Sequence, residues 1–186
     1  DEGLVGSEMC IRDRYSSGNN GNNTICTIEI ATIGNAIDFG DLSARRAYPG
    51  ACGDPVRMVI FGGYNSAVGS PLGLKTSDTV IYASHGNGVD FGEASHGGSN
   101  KAGSNSTRGI WTGTSGGSNT YTNIMYTVSI QSLGNSVDFG DRTHHGSGSC
   151  MSSQTRIVMS GGRSQASPYG LTNIMDFVEF ASLGNA

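Results

Sequence analysis

The sequence predicts an all-β fold assembled from repeated four-stranded antiparallel units, and three observations carry that prediction. One phrase recurs: IGNAIDFGDL at 33–42, HGNGVDFGEA at 85–94 and LGNSVDFGDR at 133–142, with LGNA at 183–186 opening a fourth copy. Thirty of the 186 residues are glycine and only 14% are charged, a composition that weakens helices and leaves few charges to coat them. Ser, Thr, Asn and Gly crowd the gaps between short apolar runs, which is how chains of short strands are punctuated.

Landmarks give the period. Asn35, Asn87, Asn135 and Asn185 are 52, 48 and 50 residues apart, and Arg57, Arg108 and Arg156 are 51 and 48 apart. Self-similarity near 50 residues implies a solenoid, a propeller or an array. Within each unit the first strand is weak and made of small residues: Ala51-Cys52, Ala102-Gly103, Ser149-Cys150. The second is an apolar run after the arginine, expected to be covered on both faces and to place Ile60, Ile110 and Val158 in matching central strands of separate sheets. The third alternates, with Ile28, Ile30, Val128, Ile130, Val178 and Phe180 on one parity and Thr27, Glu29, Ser129 and Glu179 on the other. The fourth is the short Val-Asp-Phe segment. Small residues first and bulky ones later suit a wedge whose narrow edge faces an axis. The expected architecture is a partial β-propeller of about three four-stranded blades, each burying its flanks against its siblings.

The order Arg–apolar run–Gly-Gly, then a loop, then Asn-x-apolar, then an aromatic, resembles the kelch repeat over residues 23–186. Phe39, Phe91 and Phe139 stand near the position of the family's Trp, and Gly113-Thr114 replaces one Gly-Gly pair. These departures mark a divergent branch, and the DFGD phrase is similar to kelch-type repeats of phage genomes. The resemblance implies kelch-like blades, with 17–42 ending one, 43–94 and 95–142 forming two more, and 143–186 a truncated fourth. Sharp ends imply missing blades of a longer chain. Residues 1–16 are set apart as an artefactual or disordered head, because LVGSEMCIRD at 4–13 matches the in-frame translation of a sequencing-library adapter.

Charge and cysteine usage narrow the function. A net charge of -4 argues against a nucleic-acid partner, which needs a basic patch. No apolar run reaches the roughly 20 residues that span a bilayer, so no membrane partner is expected. Cys26, Cys52 and Cys150 form no CxxC pair, and Cys52, Ala102 and Cys150 are read as one small buried site. The threefold DFG is read as structural: Phe packs between blades while Asp and Gly build a turn. Its carboxylate pairs offer too few oxygens for calcium. The 69–76 stretch lacks the spacing of a phosphate loop. Arg57, Arg108 and Arg156 are read as tethers to a neighbouring blade's carboxylate, such as the DFGD aspartate.

Candidate contact residues follow from loop placement. Antiparallel alternation puts the second-to-third loops on one rim with the links between blades. Tyr64, Tyr121 and Tyr169 occur once in each such loop, and Tyr48 lies in a link. Tyrosine among Ser, Gly and Asn suits a protein or carbohydrate surface. Arg46, His96, His144 and His145 follow blade termini and join this set; the histidines are read as exposed loop residues. The expected function is a non-enzymatic binding scaffold without cofactor or metal, in a phage virion, tail-associated or extracellular setting. The alternatives are a purely structural particle component, or an enzyme fragment resembling the galactose oxidase group, whose copper ligands find no place here.

Overall fold

Short strands separated by turn-forming residues fold here into four small antiparallel sheets laid one against the next. The structure, a computed structural model, describes residues 7–11, 21–29, 31, 33–65, 73–98, 100–115, 120–163 and 170–186. Among them the chain is all-β, with no helix. The first sheet holds β1 (Ser7–Ile11), β2 (Asn22–Glu29) and β3 (Ile37–Arg46). The second holds β4 (Gly50–Gly53), β5 (Arg57–Phe61), β6 (Thr76–Ile81) and β7 (Val89–Glu93). The third holds β8 (Asn100–Ser104), β9 (Arg108–Ser115), β10 (Thr120–Ser129) and β11 (Val137–Asp141). The fourth holds β12 (Ser147–Ser152), β13 (Arg156–Arg163) and β14 (Met175–Glu179). In every sheet the strands lie in chain order. β1 comes from the segment that matches an adapter, and it pairs with β2 through Ser7↔Glu29 to Ile11↔Ile25.

Side-chain parity explains how the sheets stack. Met58, Ile60 and Val80 of the second sheet meet Ile25, Phe39 and Leu42 of the first. On its opposite face Cys52, Val59, Phe61 and Phe91 meet Trp111, Val128 and Ile130 of the third. Ile110, Met125 and Phe139 then meet Ile157, Met159, Val178 and Phe180 of the fourth. β5 and β9 are thus apolar on both faces because both faces are covered, as their continuous apolar runs require, whereas β13 buries Ile157 and Met159 against the third sheet and leaves Val158 on the outer face of the fourth. Ile60, Ile110 and Val158 do lie in β5, β9 and β13, the second strands of three sheets. The three phenylalanines of the phrase are buried to within 4% exposure and each sits between consecutive sheets. Trp111 is buried to 1%, and its truncation to Ala is expected to cost about 3–5 kcal/mol.

The cysteine alignment requires a correction. Cys52 pairs with Val59, whereas Ala102 pairs with Trp111 and Cys150 with Met159. The register mates of Cys52 are therefore Gly103, opposite Ile110, and Met151, opposite Val158. The loops before Arg57, Arg108 and Arg156 are equally long. Cys52, five residues before its arginine, stands one position later than Ala102 and Cys150, six before theirs, and a shift of one flips a side chain to the other face of a strand. Cys52 is buried between the second and third sheets, where burial and the nearby Asp54 push its thiol pKa up to about 12.

Candidate functional site

The recurring phrase proves to be a joint. Gly86, Gly134 and Gly184 donate their backbone N–H to the carbonyls of Phe39, Phe91 and Phe139, at 2.9, 2.8 and 2.9 Å. The side chains of Asn87, Asn135 and Asn185 accept from the N–H of Asp41, Glu93 and Asp141, each at 2.9 Å. The Gly-Asn of each copy therefore docks on the Asp-Phe-Gly-Asp/Glu of the copy before it. The carboxylates of Asp90 and Asp138 accept from Gly92 and Gly140 within their own turns. A second series runs along the first strands. The Ser104 hydroxyl donates to the Gly53 carbonyl at 2.7 Å and accepts from its N–H at 3.1 Å, and Ser152 makes the same pair of bonds to Ser104 at 2.9 and 3.1 Å.

The rim patch is built on this frame. Ala47 and Tyr64 exchange backbone hydrogen bonds at 2.9 and 2.8 Å, and Gly63 donates to Gly98 at 2.8 Å. Both links flanking the second sheet are thereby knitted to the loop after β5, on one rim. Tyr48 is half exposed and meets Tyr64 edge to face, with ring centroids 6.4 Å apart. Among the described residues Tyr48 is the non-glycine residue with positive φ, at 55°. That conformation costs a side chain of this size energy, so the surrounding bonds impose it.

Other residues expected on the rim are placed elsewhere. Arg46 is fully buried: its Nη2 lies 2.9 Å from Asp78 Oδ2, and its Nη1 donates to the carbonyls of Thr76 and Gly62 at 3.0 and 3.3 Å. Burial lowers its pKa and Asp78 opposes that shift. Arg46 therefore supports the rim from beneath and presents no charge to a partner. Ser43 completes the arrangement with a 2.6 Å bond to Asp78. Arg142, Asp176 and Thr143 repeat it two interfaces later, between the third and fourth sheets, with Arg142 Nε 3.1 Å from Asp176. Removing either arginine leaves a buried carboxylate unpaired, an expected loss of about 3–5 kcal/mol.

The histidines are not open loop residues as a group. His96 is half-buried and stacks on Tyr126 of the third sheet at 6.0 Å, and its pKa is lowered by burial first and by Lys75 second. His144 is half-buried beside Arg142 with both ring nitrogens enclosed, and its pKa is also lowered, chiefly by burial. His145 is exposed. The side chain of Tyr121 and the whole of Tyr169 lie outside the described residues, as do residues 69–72 of the 69–76 stretch. No cluster of three or more His, Cys, Asp or Glu side chains converges among the described residues.

The arginine tethers also differ from expectation. Arg108 does reach the next sheet, but its Nη1 donates to the Phe180 carbonyl. Arg156 faces Glu179 of its own sheet at 3.8 Å and lies over the Phe177 ring at 5.0 Å. Arg57 has its Nε buried without a hydrogen-bond partner. The Asp90 and Asp138 carboxylates are held in their own turns, and among the described residues no ion pair joins Arg57, Arg108 or Arg156 to a carboxylate of the phrase. Neither a protein-family comparison nor a comparison with curated proteins returns a match to this chain.

Proposed function

We propose that the four sheets are an arc of divergent kelch-like β-propeller blades, and that the chain is a non-enzymatic scaffold binding a protein or carbohydrate surface through its rim. Consecutive stacking of the sheets in chain order supports the arc. So do the serine bonds that link first strands to one another, which is what a narrow inner edge around an axis needs. The observation that carries the binding reading is the Tyr48–Tyr64 pair, with Tyr48 held at positive φ on a hydrogen-bonded rim. Rigid aromatic contact area with few rotatable bonds is a favourable anchor for a flat partner. A phage virion, tail-associated or extracellular setting is part of this reading.

The test is retention on a glycan array and in a pulldown from host-cell surface extract, run with the chain and with Tyr48→Ala. Selective retention that drops at least tenfold in the variant supports the reading; no retention by any ligand class overturns it. A purely structural particle component is the second reading, favoured by the exposed Met151, Met175 and Phe177 on the outer face of the fourth sheet. It is distinguished by particle assembly that depends on those residues and not on Tyr48.

A further inference from the structure

Charge is spread unevenly along the chain, and the tyrosine rim takes one sign of it. The stretches that enter or leave this rim are the links 43–50, 94–101 and 142–149 and the second-to-third connections 62–75, 113–122 and 161–174. Together they hold Arg45, Arg46, Lys75, Lys101, Arg142 and Arg163, and none of the chain's 15 Asp and Glu residues. The net charge of -4 conceals this, because the acidic residues gather elsewhere. Asp41, Glu93 and Asp141 adjoin the links but stand in the outermost strands β3, β7 and β11, at the joint with the next copy. Asp78 and Asp176 are buried and face Arg46 and Arg142 at 2.9 and 3.1 Å. Those two pairs cancel, which leaves one cation from each sheet. Arg45 lies at the end of β3, Lys75 directly precedes β6, Lys101 lies at the start of β8 and Arg163 closes β13. Arg45, Lys75 and Lys101 are exposed, and among the described residues no ion pair takes them. His96 and His144 add no charge at neutral pH, since burial lowers both below the ordinary imidazole value.

We infer that the tyrosine rim takes an acidic polysaccharide, whose uronic carboxylates meet these cations while a sugar ring lies on Tyr48. The inference rests on the rim-binding reading above and names its ligand class. Ser, Thr, Asn and Gly crowd the same connections, and their short donors and acceptors suit sugar hydroxyls. Single cations spread over four sheets match a polymer whose charges are spaced along its chain. A nucleic acid carries a phosphate on every nucleotide and calls for a denser basic patch. Each exposed charge pair is weak by itself, so binding is shared among the cations and screened by salt. The charge pattern thus supplies selectivity and the tyrosine supplies contact area.

The probes are an alginate oligosaccharide, a neutral maltooligosaccharide of equal length, polyglutamate and single-stranded DNA, each titrated into the chain at low salt by calorimetry. The expected result is saturable alginate binding, about tenfold or more tighter than that of any other probe and weakened by added salt. Arg45→Gln, Lys75→Gln and Lys101→Gln are each expected to weaken it about threefold or more, whereas Arg156→Gln, on the outer face of the fourth sheet, retains it. All four side chains are exposed, and thermal melts check that each variant stays folded. Equal affinity for the neutral glycan overturns the inference and leaves the rim-binding reading standing. Equal affinity for polyglutamate or DNA, lost in the same variants, overturns the choice of a carbohydrate. No binding of any probe overturns the inference as well. The rim-binding reading falls separately, if Tyr48→Ala leaves retention on the glycan array and in the pulldown unchanged.

Discussion

A single glycine shows how tightly the repeat is specified. Gly92 adopts φ 137°, and a Cβ at this position would lie 2.5 Å from the carbonyl oxygen of Gly134 in the next copy. Gly40 and Gly140 meet Gly86 and Gly184 at 2.2 and 2.3 Å in the same way. Any side chain there both strains its own backbone and pushes the next sheet away. Gly92→Ala is therefore expected to destabilise the fold by at least roughly 1–3 kcal/mol, the backbone strain alone, as measured by urea unfolding. A stability unchanged within error would refute the close approach. The glycine of the motif thus serves a backbone contact between copies.

At the scale of elements, the question is what holds one sheet to its neighbour besides apolar packing. The asparagines Asn135 and Asn35 supply a direct test, because both are exposed and only one is docked. Asn135 accepts from Glu93 N, while Asn35 has no earlier copy of the phrase among the described residues to dock on. Asn135→Ala is expected to cost about 1 kcal/mol, the net worth of one such hydrogen bond, while Asn35→Ala stays within about 0.5 kcal/mol. Equal effects in chemical denaturation would show that the amide contributes nothing to docking. The inward face of the third strand was legible in the alternation of Val128, Ile130, Val178 and Phe180, all of which are buried. The Arg–Asp–Ser/Thr arrangement was not, because Arg46 and Arg142 reach their carboxylates from different offsets after Asp41 and Asp141. Only the shared target, Asp78 or Asp176, makes them equivalent.

For the molecule as a whole, the interfaces between sheets couple stability to pH. His96 lies between the second and third sheets and His144 between the third and fourth, and the folded chain lowers both pKa values. Burial is the first cause in each. Lys75 adds to it at His96; at His144 Arg142 and His145 add to it while Asp176 opposes. A folded state that binds these protons less readily than the unfolded chain gains stability as pH rises. That contribution is fully present above the ordinary imidazole value of about 6.5 and is lost as pH falls through the lowered folded values. Thermal unfolding is expected to show Tm falling between about pH 7 and pH 5, with a shallower slope in a His96→Gln, His144→Gln double variant. A slope unaffected by the double variant would remove the histidines from this role.

The fifty-residue period, the all-β character and the positions of the strands within the repeats were written in the residues, because local parity and turn chemistry depend on neighbours along the chain, whereas β1 falls in the head set apart from them. The same holds for the phenylalanines, whose burial follows from recurrence in an otherwise polar turn. Three matters waited for the sheets to meet. Arg46 changed from a contact residue to a buried support, Cys52 moved one register from its supposed counterparts, and Gly-Asn emerged as the dock for the preceding phrase. Each depends on which face of one sheet touches the next, and that contact joins residues some forty or more positions apart that no local pattern relates.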